Sequence, residues 1–233
     1  LKAWAYGTDF ARVATWLQRS GVDWIGVSAA DEGAMARRAG VHLPILVTLL
    51  SADEVDKALR YRLTPVVYSL PMADALAEEA RRLGGTLDVH LEVDTGMGRL
   101  GVRPDDVSEL TRRVLGSGTL RPTGFMTHLS SADDPQADAY TTAQLDHFEA
   151  SLAAARRAGL GEVLVHASAT SGALRFPRAR YDMVRVGLGL WGIYGSDALA
   201  RTLELQLAVS LVSRIVHVST YRQGERIGYA GSF

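Results

Sequence analysis

Lys2, Glu92, Asp94, Arg99, His128, His166, Thr170 and Arg185 fall at or just after the ends of short apolar β-type runs. Those are the positions from which a parallel α/β fold projects its working groups. One lysine, two histidines and two arginines gathered this way suit an anion-rich ligand that also needs an amine. A zinc centre fits poorly, because His128 and His166 lack a spaced third ligand and arginine neighbours would repel a cation. The chain has no cysteine, which removes thiolate nucleophiles, disulfides and cysteine metal sites. No Gly-x-Ser-x-Gly elbow supports serine hydrolase chemistry. Lys57 is the only other lysine; it lies in an expected helix among Asp53, Glu54, Asp56 and Arg60, where a solvated face explains it. The amine chemistry therefore falls to Lys2.

The elements that must position these groups alternate along the chain. Apolar runs at residues 22–28, 43–49, 63–69, 87–94, 122–128, 162–169 and 181–191 read as seven strands. Amphipathic segments at 10–20, 31–39, 52–61, 73–83, 104–115 and 139–158 read as helices between them, mostly closed by glycine, as at Gly21, Gly40, Gly84 and Gly159. Residues 1–5, taken as the tail of a first strand, bring the count to eight. The expectation is a (β/α)8 TIM-type barrel over residues 1–196, with a doubly wound open sheet as the alternative. Past residue 196 the period changes, and 203–218 and 221–229 read as consecutive strands without a helix between them. Residues 197–233 are accordingly expected to open a separate β domain whose remainder is missing, both ends looking trimmed.

The bulk composition narrows the partners. The 233 residues are 47% hydrophobic and 22% charged, as in ordinary globular chains, and the net charge of -1 leaves no electrostatic footprint for nucleic acid or an anionic membrane. Neither a spanning apolar stretch nor a signal peptide is visible, so a soluble, cytoplasmic protein with a small-molecule partner is expected. Trp4, Trp16, Trp24 and Trp191 are assigned to core packing, and His147 and His217 receive no role.

Five segments in order resemble the alanine racemase family of fold-type III pyridoxal-phosphate enzymes. Leu1-Lys-Ala-Trp-Ala-Tyr-Gly7 resembles its cofactor-lysine motif, and Asp94-Thr-Gly-Met-Gly-Arg-Leu-Gly101 its arginine loop. Gly124-Phe-Met-Thr-His-Leu-Ser-Ser-Ala-Asp133 is similar to its next histidine segment. The stretch 166–177 with Tyr181-Asp-Met-Val-Arg-Val-Gly187 is similar to its phosphate and pyridine region, and Gly228-Tyr-Ala-Gly231 to its tyrosine motif.

The resemblance implies a racemase that interconverts L- and D-alanine with pyridoxal 5'-phosphate. It further implies a cytoplasmic homodimer serving cell-wall biosynthesis. Lys2 would condense with the cofactor aldehyde and act as one base. Tyr229, from the partner subunit, would be the second base on the opposite face, with His128 as its suggested neighbour; a tyrosine titrates near 10 in water and needs such help. Arg185, held by His166, would donate to the pyridine nitrogen. Tyr6, Thr170, Gly187 and Leu188 would bind the phosphate, and Arg99 the substrate carboxylate or the phenolic oxygen. The chain departs from the family at Glu92, where many members carry a carbamylated lysine; Glu92 could supply the same negative charge to Arg99. Ala169 stands where asparagine is common, and Thr8-Asp9 where His-Gly is common. Alternatives are a racemase of wider range, including serine, a pyridoxal-phosphate-binding barrel without turnover, and one part of a fused cell-wall enzyme.

Overall fold

Six runs of aliphatic residues form strands in the computed structural model, which describes residues 1–201 and 203–231. They are β1 (Ile25–Val27), β2 (Ile45–Val47), β3 (Leu63–Val67), β4 (Leu87–Glu92), β5 (Leu120–Met126) and β6 (Leu164–His166). All pair in parallel and in chain order, β1 to β6. Parallel neighbours require a crossover after each strand, supplied by α3 (Ala30–Arg38), α4 (Val55–Tyr61), α5 (Leu70–Arg82), α6 (Val107–Gly116) and α7 (Asp138–Arg157), with α2 (Phe10–Arg19) ahead of β1. The glycines expected to close helices do so in left-handed geometry, with φ of +82° at Gly21, +89° at Gly40, +67° at Gly84 and +107° at Gly159. Among the described residues no helix is long and apolar enough to cross a membrane.

Side chains alternate across each strand, and this alternation separates the core from the site. Ile25, Ile45, Val47, Leu63, Val67, Val89, Leu91, Phe125 and Val165 enter the main apolar core with residues of the helices; Phe125 stacks on Phe148 of α7 at 5.4 Å. The alternate positions carry Leu46, Val66 and Met126, packed with Trp24 as a separate small cluster, together with the buried polar residues His90, Glu92 and His166. The sheet is thus a parallel half-barrel with an apolar outer layer and a mixed inner face.

Four expected strands are corrected. Residues 1–5 enter α1 (Lys2–Gly7), a left-handed turn in which Ala3, Trp4, Ala5 and Tyr6 have φ of 53–60°. Residues 181–191 alternate between more and less exposed as a strand would, yet pair only through an isolated bridge between Ala169 and Arg185. Gly187 and Gly189 weaken that run, and its end winds into a 3-10 turn, Leu188–Trp191. The described part of 203–229 contains no strand. Leu211, Val212, Ile215, Val216 and Val218 there are between 79% and 101% exposed, because an apolar strand without a neighbour has no ladder to join. The eightfold closure is therefore not formed by the described residues. Thr202, Ser232 and Phe233, within the expected β domain, lie outside them. Of the four tryptophans, Trp4 and Trp16 are 59% and 55% exposed, since the left-handed turn and the outer helix face turn them away from the core.

Candidate active site

A cavity of about 620 Å³ opens at the carboxyl ends of the strands. Its wall includes Lys2, Tyr6, Glu92, Arg99, His128, Thr170, Arg185, Gly187 and Leu188. His166 lies behind this wall, fully buried. Of the residues expected from the sequence, Asp94 and Tyr229 stand apart from this cavity; Tyr229 is 100% exposed, in a 3-10 turn, and absent from the cavity wall of its own chain.

Lys2 and Tyr6 are delivered by the left-handed turn. Such geometry costs roughly 1–2 kcal/mol for each non-glycine residue, so four in succession need a counterweight. Glu32 of α3 supplies one that the sequence reading missed. Its Oε1 accepts from Trp4 N at 3.1 Å, and its Oε2 from Ser28 N at 2.8 Å and Ala29 N at 3.2 Å. The carboxylate thereby ties the turn to the end of β1 and the start of α3. An acidic residue in the first turn of an expected helix was the available signal.

Opposite the turn, Thr170 opens the short helix α8 (Thr170–Arg175). Its hydroxyl does not cap that helix; Oγ1 accepts from Gly187 N at 3.3 Å and Gly189 N at 3.4 Å. Gly187 keeps the Tyr6 hydroxyl close, since a Cβ there would stand 2.8 Å from it. Burial pushes the Tyr6 phenol above its ordinary 10.0, so at neutral pH it is a hydroxyl donor. Tyr6 also meets Trp191 edge-on at 6.0 Å. The Tyr6 and Thr170 side chains and the chain at Gly187 and Leu188 thus share one cavity wall.

Arg185 closes the other end. Nη1 donates to His166 Nδ1 at 2.6 Å; Nη2 donates to the carbonyls of Thr127 and Ala167 at 2.8 and 2.9 Å and to His128 Nδ1 at 3.0 Å. Of five guanidinium protons, these contacts leave the Nε proton and one on Nη1 for a ligand. Burial lowers the arginine only to about 10, so it stays charged at neutral pH. Burial and then the Arg185 charge lower both His90 and His128 to about 4. The same causes, with His90 third, lower His166 well below 6.5, so the two histidines and two carbonyls that hold the guanidinium are all neutral.

Glu92 behaves differently from the expectation built on it. Among the described residues it forms no ion pair with Arg99, which reaches the cavity exposed. Its Oε2 is buried without a partner. Burial raises the carboxyl to about 7 against the opposing pull of Arg185 and Arg99. His90, which the sequence reading passed over, contacts His166 through Nδ1 at 2.9 Å. Asp94 faces its own loop, its carboxylate accepting from Gly96 and Gly98 N–H groups.

Residues 1–195 match the family described as alanine racemase, N-terminal domain. The chain belongs to that family. It is similar to the alanine racemase of Symbiobacterium thermophilum, 36% identical over all of this chain and 62% of the relative. It is also similar to that of Synechocystis sp., 33% identical over all of this chain and 63% of the relative. Among solved structures, alanine racemase from Bacillus anthracis with bound L-Ala-P superposes with a TM-score of 0.90, at 26% identity over all of this chain and 61% of that one. The E. faecalis enzyme gives a TM-score of 0.85 at 31% identity, covering all of this chain and 62% of that one. This family member thus spans about six-tenths of the length of its curated relatives. The family explains why the strand-end groups converge although they come from separate motifs.

Proposed function

We propose that this chain is the pyridoxal-phosphate-binding part of a racemase interconverting L- and D-alanine. The observation that carries the reading is Arg185: a charged guanidinium held only by neutral acceptors, with two donors to spare, on the same cavity as an exposed lysine. The residues fit the cofactor. Lys2 would hold its aldehyde carbon; the Tyr6 hydroxyl, Thr170 and the chain at Gly187 and Leu188 would hold its phosphate; Arg185 would meet its ring nitrogen. When bound, the group supplies an electron sink that acidifies the Cα proton of an amino acid.

The protein's own contribution is placement of protons and charge. An arginine donates to the ring nitrogen without protonating it, which restrains charge build-up on the ring and favours simple return of the proton. The Lys2 amine would remove or return a proton on one face. Tyr229 of a second copy would serve the opposite face, a role supported by its full exposure and its absence from its own cavity wall. His128, neutral and accepting from Arg185 through Nδ1, keeps its Nε2 proton to donate beside that tyrosine. Arg99, unpaired at the rim, would take the substrate carboxylate. The finer reading also includes a cytoplasmic homodimer and a β domain begun by 197–233. The unpartnered apolar side chains after residue 203 support that last element.

The test is addition of pyridoxal phosphate, borohydride reduction and peptide mapping, followed by assay of D-alanine formation by the parent chain with Tyr229→Phe as control. Modification at Lys2 with turnover lost in Tyr229→Phe upholds the reading. Modification without turnover leaves a cofactor-binding barrel, turnover of serine as fast as alanine widens the substrate class, and no adduct at Lys2 refutes the assignment.

A further inference from the structure

His90 has no part in the reading above, yet its place is tightly built. It is fully buried on the inner face of β4, in register with Gly124 of β5. A Cβ on Gly124 would stand 2.3 Å from the imidazole Cγ, so the glycine is the space that the ring occupies. Trp24 covers the ring at 5.2 Å. His90 Nδ1 lies 2.9 Å from His166 Nε2, and His166 Nδ1 lies 2.6 Å from Arg185 Nη1.

The direction of each bond in this chain follows from chemistry alone. A guanidinium has donors and no acceptor, so His166 Nδ1 must be the bare nitrogen. A neutral imidazole bare at Nδ1 carries its proton on Nε2 and donates it to His90 Nδ1, which is then bare in turn and leaves the His90 proton on Nε2, buried without a partner among the described residues. We propose that His90 is a positioning residue that locks His166 in its Nε2-protonated tautomer and so keeps Nδ1 available to Arg185. Without an acceptor at His90, a buried N–H on His166 would be left unpaired, and flipping the ring or moving the proton would relieve that at the expense of the bond to Arg185. Both imidazoles being held neutral agrees with the chain: burial first, and the Arg185 charge second, lower His90 to about 4 and His166 well below 6.5. The consequence for the cofactor rests on the function proposed above, because Arg185 is the group that would meet the ring nitrogen.

Long-range 1H–15N correlation spectra of the labelled protein without cofactor read the tautomers directly. His90 and His166 should both be protonated on Nε2 and bare at Nδ1 from pH 5 to 8; a proton on His166 Nδ1 in the wild type overturns the proposal without any variant. His90→Asn sets an oxygen acceptor near the position of Nδ1 and should preserve the His166 signal. His90→Leu should mix the tautomers and weaken pyridoxal-phosphate binding by about tenfold, the lower range for loss of an outer hydrogen-bond partner, while His90→Asn stays within about threefold. Unchanged spectra and binding in His90→Leu overturn the proposal. Tautomers as expected in a wild type that fails to bind pyridoxal phosphate uphold the lock and refute the reading of the cavity.

Discussion

Replacing Glu92 with glutamine should open a stability gap in favour of the variant as pH rises from 4.5 to 7.5. Glu92 is 4% exposed and its Oε2 is unpaired. Burial lifts its carboxyl from an ordinary 4.5 to about 7, with Asp94 adding to the rise and the two arginines opposing it. A group whose folded value lies above its unfolded value contributes stability that is complete below the unfolded value and is lost as pH climbs through the folded one. At about 1.4 kcal/mol per pH unit, the interval is worth about 3 kcal/mol. Glutamine resembles the protonated acid and suffers no such loss. For a chain of this size that gap is roughly 6–12 °C in Tm, measured by melting both proteins across pH 4.5–8. Parallel curves would refute the argument, and so would a gap opening toward acid; either result would mean that Arg185 keeps Glu92 ionised.

The histidines should act with the opposite sign. His90 and His128 fall from 6.5 to about 4 on folding, so stability is complete above about 6.5 and lost as pH drops toward 4, by about 3 kcal/mol for each group; acid melting of Glu92→Gln, with the carboxyl removed, exposes that slope, and a flat curve contradicts it. Glu32→Gln replaces one of two accepting oxygens by an amide nitrogen facing backbone donors, a loss of about 1.5–3 kcal/mol. Hydrogen exchange at residues 3–6 should quicken and borohydride trapping at Lys2 should fall, whereas unchanged exchange would remove Glu32 from the support of the turn. Gly124→Ala should lower stability by about 1–3 kcal/mol through overpacking against His90. In a His90→Ala background the penalty should shrink, and additive losses in the double variant would break the claimed contact.

Helices and strands were legible wherever the pattern carried its own punctuation. The closing glycines Gly21, Gly40, Gly84 and Gly159 sit where a local reading puts them. The failures share a cause. The run 181–191 has strand alternation but also Gly187 and Gly189, and 203–229 has strand composition but no neighbour to pair with; pairing is not local information. Lys2, Tyr6, His128, Thr170, Arg185, Gly187 and Leu188 share one cavity wall with His166 buried behind it, and strand ends and ordered motifs mark them in the sequence. Glu32 and His90 escaped because neither lies at a strand end. Their signals are pairwise: one carboxylate against three amides from two segments, and one ring against a glycine on the next strand.

The charge on the cavity wall leads to a last prediction. Lys2, Arg99 and Arg185 face the cavity, and among the described residues none of them is in an ion pair. Glu92, the one acid on that wall, is held protonated up to about 7. Below that pH the wall is uncompensated positive charge, and above it Glu92 offsets part of Arg185. Sulfate, whose charge is constant between pH 5 and 9, separates this change in the protein from any titration of a ligand. Anything that binds only the folded state stabilises it by an amount that grows with the logarithm of its affinity, so sulfate should raise Tm at pH 6 and less at pH 8. In Glu92→Gln the effect should persist across the range. Equal stabilisation of the wild type at both pH values would mean that the field in the cavity is set by Lys2 and Arg99 at its rim, with Glu92 too remote from the anion to matter.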